Sequence, residues 1–157
     1  MQTTTPTSDY ELERGKPLPS LNHSITQALL VGAFLRYRAQ YTVASELSLE
    51  LEGQRFTPDV CLYPKLQTDP MQDQIRMTEP PILTVEIESP TQSTQDLVDK
   101  IRLMLGLGVR SAWLVQPTLQ TVTVFHPGTK PKTFTQGQIQ DDATDVEVSV
   151  EEVFASS

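Results

Sequence analysis

The segment ILTVEIESPTQSTQDLVDKIRLMLG, residues 82–106, decides the predicted fold. Its first part, residues 82–89, is dense in apolar and β-branched side chains, which indicates a strand in the centre of a sheet. Pro90 ends this strand, and Ser93 or Thr94 then supplies the N-cap of a helix. A single apolar stripe runs along that helix and consists of Leu97, Val98, Ile101, Met104 and Leu105. The segment is therefore predicted to be a buried strand followed directly by an amphipathic helix.

Further elements are predicted on both sides of this strand–helix unit. In chain order they are a helix at 25–40, strands at 43–51 and 55–63, strands at 111–115 and 121–125, a hairpin near 132–135, an edge strand near 146–148 and a short helical turn at 150–154. Because a helix separates the strands at 82–89 and 111–115, at least one pair of strands needs a crossover connection and runs parallel. The predicted fold class is α/β or α+β, with a mixed central sheet flanked by helices.

Length and composition predict one domain. The chain has 157 residues, of which 38% are hydrophobic, and this content suits a single core. We expect residues 1–9 to be disordered and residues 10–157 to form the domain. The N-terminus lacks the pattern of a signal peptide and no apolar run approaches the length of a membrane span, so a cytoplasmic location is expected. The single cysteine, Cys61, lies in a predicted buried strand and is expected to be an inert core thiol.

The net charge of −8 argues against a simple nucleic-acid binder, since such proteins are usually basic. The charge is unevenly distributed, however. Residues 1–132 carry 12 basic and 14 acidic groups, a balance of −2, and the remaining acids follow them. Acidic tails are more often solvated than used in binding, and a bound divalent cation would neutralise part of the negative charge elsewhere. A nucleic-acid substrate stays compatible with this composition.

Three carboxylates on the predicted strands are candidates for chemistry. Glu86 and Glu88 are two residues apart, so they share one face of the central strand, and Asp59 follows Pro58 on an earlier strand. Carboxylates in an apolar strand are costly unless a partner binds them, and Mg²⁺ accepts carboxylates, a backbone carbonyl and waters as ligands. Asp59, Glu86 and the carbonyl of Ile87 would supply such a set. The alternative is that these acids lie on a face or an edge that is open to solvent.

Lys100 lies on the predicted helix, at the edge of its apolar stripe. A long side chain there can lie along the core and bring its ammonium group close to the sheet. The alternative is a surface pair with Asp96, one helical turn earlier, which contributes little to stability. Together, the acids and the lysine suit a phosphodiester hydrolase, because a metal lowers the pKa of a bound water and cations stabilise the charge that develops on the phosphate.

Residues spread over most of the chain resemble those of the Uma2 family of endonucleases, also called DUF820, in the PD-(D/E)XK nuclease superfamily. The matching residues are Tyr10-Glu11-Leu12, Gly15, His23, Pro58-Asp59-Val60, Val85-Glu86-Ile87, Ser89-Pro90-Thr91, Asp96, Lys100, Gly108-Val109, Trp113-Leu114-Val115 and Pro117. The resemblance implies a restriction-endonuclease-like core and an endonuclease that cleaves DNA with Mg²⁺ or Mn²⁺. A homodimer is expected, since cutting both strands favours two sites.

The resemblance also implies roles for single residues. Asp59 and Glu86 correspond to the metal-binding acids, and Lys100 corresponds to the motif lysine, moved from the strand onto the following helix. Glu11 resembles an additional acid that an N-terminal segment brings to the site. His23 is a weaker candidate that is expected to cap the first helix.

Three departures from the family pattern leave alternatives open. The family usually has an apolar residue at the position of Glu88, and often a tyrosine at that of Met104 and an acid at that of Gln116. Glu88 occupies the place of the lysine in the unshifted motif, so it is a candidate general base. The departures also suit a protein that has lost turnover and keeps the fold as a nucleic-acid or protein binding module. A hydrolase of small phosphoesters is disfavoured, because neither a Gly-rich phosphate loop nor a His-rich metal motif is present.

Two other regions are weaker candidates. Glu46 lies on the polar side of its predicted strand, where solvation is the default. Residues 64–81 contain four prolines and form a predicted long loop, which is where we expect specificity for the substrate to reside.

Overall fold

A six-stranded mixed sheet forms the centre of the computed structural model, which describes residues 15–154. The strands are β1 Tyr41–Ser45, β2 Leu49–Leu51, β3 Gln54–Phe56, β4 Val60–Pro64, β5 Leu83–Ile87, β6 Ser111–Gln116, β7 Thr121–Phe125, β8 Lys132–Phe134, β9 Gln138–Gln140 and β10 Glu147–Ser149. The helices are α1 Leu21–Phe34, α2 Thr94–Gly106 and α3 Val150–Phe154, and a 3₁₀ turn at Leu35–Tyr37 follows α1. The order across the main sheet is β1-β4-β5-β6-β7-β8, while β2–β3 and β9–β10 form separate ribbons.

The predicted strand–helix unit and the predicted fold class are confirmed. β5 lies between β4 and β6, and all its residues are buried. β5 and β6 run parallel, as the crossover through α2 requires. α2 begins after Ser93, whose hydroxyl accepts a hydrogen bond from the amide of Asp96 at 3.4 Å. Its buried residues are Leu97, Ile101 and Met104, so the apolar stripe packs against the sheet.

The first helix begins earlier, and buries a different face, than the sequence predicts. α1 starts at Leu21 because the hydroxyl of Ser20 accepts a hydrogen bond from the amide of His23 at 3.2 Å and caps the helix. Its buried residues are His23, Thr26, Leu30, Ala33 and Phe34. The apolar residues Ile25 and Leu35, whose helical spacing indicated the predicted helix, are 48% and 43% exposed. The prediction was wrong because two of the buried positions are polar, and a hydrophobic pattern does not reveal them.

The strands predicted at 43–51 and 55–63 are each broken in two. Glu46 has a left-handed backbone conformation (φ 53°), so the first divides into β1 and β2. Pro58 has no amide hydrogen to donate to a neighbouring strand, and the second divides into β3 and β4 around it. Asp59 was predicted in mid-strand, but it lies in the bend immediately before β4. Asp59 therefore immediately precedes β4 and does not lie within it.

The C-terminal region completes the main sheet and adds one ribbon. β8 pairs with β7 at the edge of the sheet, and α3 lies where the helical turn was predicted. The strand predicted near 146–148 is β10, which pairs with β9 apart from the main sheet. Among the helices of residues 15–154, none has the length and apolar character needed to cross a membrane.

Apolar side chains pack on both faces of the main sheet. One cluster joins the sheet to α1 and α3 and includes Leu30, Phe34, Val60, Trp113 and Val153. The other lies under α2 and includes Cys61, Leu97, Ile101, Met104 and Leu114. Successive residues of a strand face opposite sides, and Val85 and Ile87 belong to the first cluster. Glu86 therefore projects to the side of the sheet that α2 covers.

A buried carboxylate, Asp141, ties the segment after β9 to the main sheet. Its Oδ2 accepts hydrogen bonds from the hydroxyl of Ser111 and from Nε1 of Trp113, the latter at 2.7 Å. Its Oδ1 accepts hydrogen bonds from the amides of Ala143 at 2.9 Å and Thr144 at 3.3 Å. All four donors lie in buried or part-buried surroundings, so these hydrogen bonds to Asp141 hold the segment in place.

We expect Asp141→Asn to lower the free energy of unfolding by about 2–4 kcal/mol, because the new amide nitrogen cannot accept these hydrogen bonds and leaves buried donors unpaired. Asp142→Asn changes the exposed neighbour and serves as the control, with an expected effect below about 0.5 kcal/mol. Denaturant titration followed by the fluorescence of Trp113 measures both variants. Equal stability of the two would contradict the structural role of Asp141.

We expect the Cys61 thiol to be unreactive in the folded protein. The side chain is 0% exposed, and burial raises its pKa to about 12, so little of the nucleophilic thiolate forms at about pH 8. An aromatic disulfide reagent should label Cys61 only after unfolding. Rapid stoichiometric labelling of the native protein would show that this strand opens or is wrongly placed.

Candidate functional site

Asp59 and Glu86 face each other where β4 approaches β5. The antiparallel register aligns Val60 with Val85, so Asp59 and Glu86 are the next opposing residues along the two segments. The amide of Asp59 continues the ladder by donating to the carbonyl of Val85 at 3.0 Å. Opposing residues of antiparallel strands have Cβ atoms about 4.5–5.5 Å apart. The fold thus brings together two acids, which we call the carboxylate pair.

The Asp59 carboxylate is fully buried and accepts hydrogen bonds on both oxygens. Lys16 Nζ lies 2.7 Å from Oδ1, and His23 Nε2 lies 3.1 Å from the same atom. The backbone amide of Ile87 donates to Oδ2 at 2.7 Å. Donors from the segment before α1, from α1 itself and from β5 therefore converge on one side chain.

The surrounding donors keep Asp59 in its charged form. Burial by itself raises the pKa of a carboxyl group. Here the hydrogen bond from His23 and the positive charge of Lys16 outweigh that effect, and the pKa of Asp59 is lowered below its ordinary value. Asp59 is consequently an anion that is compensated within the protein.

The Glu86 carboxylate lies in a different environment. It is 1% exposed, and within the described part of the chain neither of its oxygens has a hydrogen-bond partner. Lys16 Nζ is 3.6 Å from Oε2, which is an ion-pair contact too long for a hydrogen bond. Burial raises the pKa of Glu86 most, Lys16 lowers it, the charge of Asp59 raises it, and Lys100 lowers it, so that the pKa lies above its ordinary value. Glu86 is the undersatisfied member of the carboxylate pair.

Lys100 is half-buried on α2 and acts on Glu86 through its charge. It also lines a cleft of about 260 Å³ whose other walls include Gly15, Pro17, Thr91, Ser93 and Asp96. Because Gly15 and Pro17 flank Lys16 in the chain, this cleft adjoins the carboxylate pair. Lys100 lies on the helix that covers the Glu86 side of the sheet, and its role in the chemistry stays a prediction.

Glu88 lies just beyond β5, and both of its oxygens are engaged. Oε1 accepts a hydrogen bond from the hydroxyl of Thr94, the first residue of α2, and Oε2 accepts one from Nε2 of Gln116 at 3.0 Å. The Glu88 amide bonds to the carbonyl of Val115 at 2.8 Å. Glu88 thus joins the ends of β5 and β6 to the start of α2, and this linking arrangement does not favour a general base.

The remaining predicted residues take varied positions. Ile87 contacts Asp59 through its amide, and its carbonyl stays a predicted ligand. Glu46 is exposed, and its amide donates to the carbonyl of Asp59 at 3.0 Å, so it supports the backbone of the site. Glu11 lies outside the described residues.

The sequence did not identify Lys16 as a site residue, and it gave His23 too little weight. His23 was expected to cap α1, but Ser20 does so, and the imidazole of His23 is buried against Asp59. Lys16 was not a candidate at all, although its side chain is only 3% exposed. The available signal was that a lysine followed by a proline precedes the helix that carries His23, and this signal is weak.

The chemistry of the carboxylate pair suits a divalent cation. Mg²⁺ and Mn²⁺ prefer oxygen ligands, and the two oxygens of Glu86, which accept no hydrogen bond from the described residues, are buried acceptors of that kind. In residues 15–154, no group of three or more His, Cys, Asp or Glu side chains is arranged to hold a metal ion. The other ligands would therefore be Asp59, the predicted carbonyl of Ile87 and water.

The sequence matches the model of the Uma2 family, described as "Putative restriction endonuclease", over residues 3–155. The chain belongs to this family, as the resemblance predicted. No match was found among curated proteins.

Two solved structures are similar to the chain. One is the crystal structure of "a putative nuclease belonging to DUF820" from Anabaena variabilis ATCC 29413, with a TM-score of 0.76 and 22% identity over 88% of this chain and 83% of that one. This likeness shows a shared fold. The other is a cryo-EM structure of a DrdV–DNA complex, with a TM-score of 0.39 and 11% identity over 85% of this chain and 10% of that one, and it carries no weight at that score.

We expect Glu86→Gln to raise the free energy of unfolding of the metal-free protein more at about pH 8 than at about pH 5. A carboxyl whose pKa is raised by folding contributes stability at low pH and loses it as the pH rises through the folded pKa, whereas glutamine stays neutral throughout. Chemical denaturation in a chelator at both pH values measures the difference. A benefit that is the same at both values would contradict the raised pKa of Glu86.

Proposed function

We propose that this protein is a divalent-metal-dependent endonuclease that hydrolyses DNA phosphodiester bonds. The carboxylate pair carries the proposal. Two acids from neighbouring segments meet in a buried position, and among residues 15–154 the oxygens of Glu86 have no hydrogen-bond donor. Membership of the Uma2 family, described as "Putative restriction endonuclease", supports the same reaction class.

The residues divide into groups with distinct tasks in this proposal. Asp59 and Glu86 would hold the cation, together with the carbonyl of Ile87 and water. When bound, Mg²⁺ or Mn²⁺ supplies an activated water and neutralises charge on the phosphate. Lys100 reaches the cleft beside Glu86, where its ammonium stabilises the charge that develops on the phosphate oxygens. Glu11 stays a proposed additional acid.

The proposal also covers the substrate, the oligomeric state and the cellular location. DNA is the substrate, and the loop between β4 and β5 supplies contacts that discriminate among substrates. A homodimer would place one site on each strand of a duplex. We propose a cytoplasmic location, where the substrate and millimolar-range Mg²⁺ are both available.

A binding module without turnover is the second candidate, and one observation favours it. The oxygens of Asp59 are occupied by protein donors, and those of Glu88 are occupied as well. Such a protein would bind nucleic acid or another protein but leave phosphodiester bonds intact. Cleavage that depends on the carboxylate pair excludes this candidate.

We expect the purified protein to cleave plasmid or linear DNA with Mg²⁺ or Mn²⁺ and not with a chelator. Glu86→Gln and Lys100→Met should each lower the rate by at least about 100-fold, because they remove a metal ligand and a charge that stabilises the transition state. Lys130→Met, an exposed lysine of the β7–β8 loop, and Asp142→Asn are matched controls that should retain the wild-type rate.

Circular dichroism and thermal unfolding establish that all four variants are folded. Cleavage that survives in both Glu86→Gln and Lys100→Met would assign the activity to another site or to a contaminant. Binding of DNA without cleavage, at every metal concentration tested, would support the second candidate.

A further inference from the structure

Lys16 places a positive charge between the two members of the carboxylate pair. Its Nζ is 2.7 Å from Asp59 Oδ1 and 3.6 Å from Glu86 Oε2, and its side chain is 3% exposed. A cation that two acids share is the arrangement that a bound metal would otherwise create. Burying an ammonium is costly unless it is paired, and here both acids supply that pairing.

The three donors to the Asp59 carboxylate belong to parts of the fold that differ in how firmly they are held. Oδ1 faces both Lys16 and His23, and Oδ2 accepts from the amide of Ile87. His23 and the Ile87 amide belong to α1 and β5, which are held in the fold. Lys16 belongs to the segment before α1, where Gly15 has a left-handed backbone (φ 67°). Of these donors, Lys16 is thus the one that can withdraw without moving a helix or a strand.

We propose that Lys16 is a resident cation that competes with the divalent metal for the carboxylate pair. The inference rests on the proposed metal site and adds a residue that sets its affinity. Lys16 must leave Asp59 Oδ1 before that oxygen can bind a metal, because the same lone pairs serve both. An ammonium and a divalent cation that are only a few ångströms apart also repel each other strongly in a buried site. Metal binding is therefore coupled to the outward movement of Lys16.

In the metal-free protein, Lys16 compensates the negative charge of the carboxylate pair. The same contact lowers the affinity of the carboxylate pair for a metal. Without Lys16, the two buried acids would lose the ammonium that contacts them both. With Lys16, the apparent affinity for metal is reduced by the fraction of molecules in which the carboxylate pair is available. The cleft that Gly15, Pro17 and Lys100 line is the space beside Lys16 into which its ammonium would move.

The test is Mn²⁺ binding by isothermal titration calorimetry. Lys16→Met should raise the association constant by at least about tenfold over wild type, because the competing charge is gone. Lys16→Arg keeps the charge and should show no such gain, and Lys130→Met is the surface control. Lys16→Met combined with Glu86→Gln should lose the binding, which assigns it to the carboxylate pair. Thermal unfolding with and without Mn²⁺ should show the larger upward shift for Lys16→Met.

A second measurement uses the wild-type chain and does not depend on how well a variant folds. An amine-acylating reagent, read out by mass spectrometry, should label exposed Lys130 but not Lys16 in the metal-free protein. Mg²⁺ at saturating concentration should make Lys16 reactive and leave Lys130 unchanged. Continued protection of Lys16 with the metal bound would overturn the proposal.

The outcomes separate this inference from the proposed function. If wild type and Lys16→Met bind Mn²⁺ with equal affinity, Lys16 does not compete, although the metal site stands. If neither protein binds Mn²⁺, both the competition and the metal-dependent function fall. If only Lys16→Met binds, the competition is strong enough to keep the wild-type site closed, and the inference holds.

Discussion

The candidate site depends on two carboxyl groups, those of Asp59 and Glu86, that the fold buries next to each other. Asp59 and Glu86 oppose each other across neighbouring segments, and two carboxylates in that position are stable only with a cation nearby or a proton on one of them. The structure uses both means: Lys16 lies between the acids, and the pKa of Glu86 is raised. Positions that are held at such cost in stability are where catalytic chemistry is usually found.

The rest of the fold explains how the carboxylate pair stays in place. β5 is fixed on one side by the parallel β6 and on the other by the antiparallel β4, so Glu86 has little freedom. Asp59 immediately precedes β4, and the amide of Ile87 fixes its carboxylate. Asp141 and the two core clusters stabilise the sheet away from the site. β5 thus carries Glu86 and the bend before β4 carries Asp59, while Lys100 comes from α2 and Lys16 from the segment before α1.

Local patterns in the sequence were sufficient to predict the strand and the helix at the centre of the fold. The apolar run of β5, the proline after it and the stripe of α2 are features of neighbouring residues, and each was predicted close to its observed place. The breaks at Glu46 and Pro58 were missed, because alternation alone does not show where a chain leaves its sheet. Asp59 and Glu86 were found as candidates, but Lys16 meets Asp59 across 43 positions, and only the assembled fold brings them together. His23 was undervalued for the same reason.

The most direct test of the account is a crystal structure of the protein soaked in Mn²⁺, with anomalous diffraction measured to locate the metal. The account predicts an anomalous peak between the carboxylates of Asp59 and Glu86, with the Lys16 ammonium displaced from Asp59. Mn²⁺ bound elsewhere, or density for Lys16 still in contact with Asp59 while no metal lies at the carboxylate pair, would contradict it.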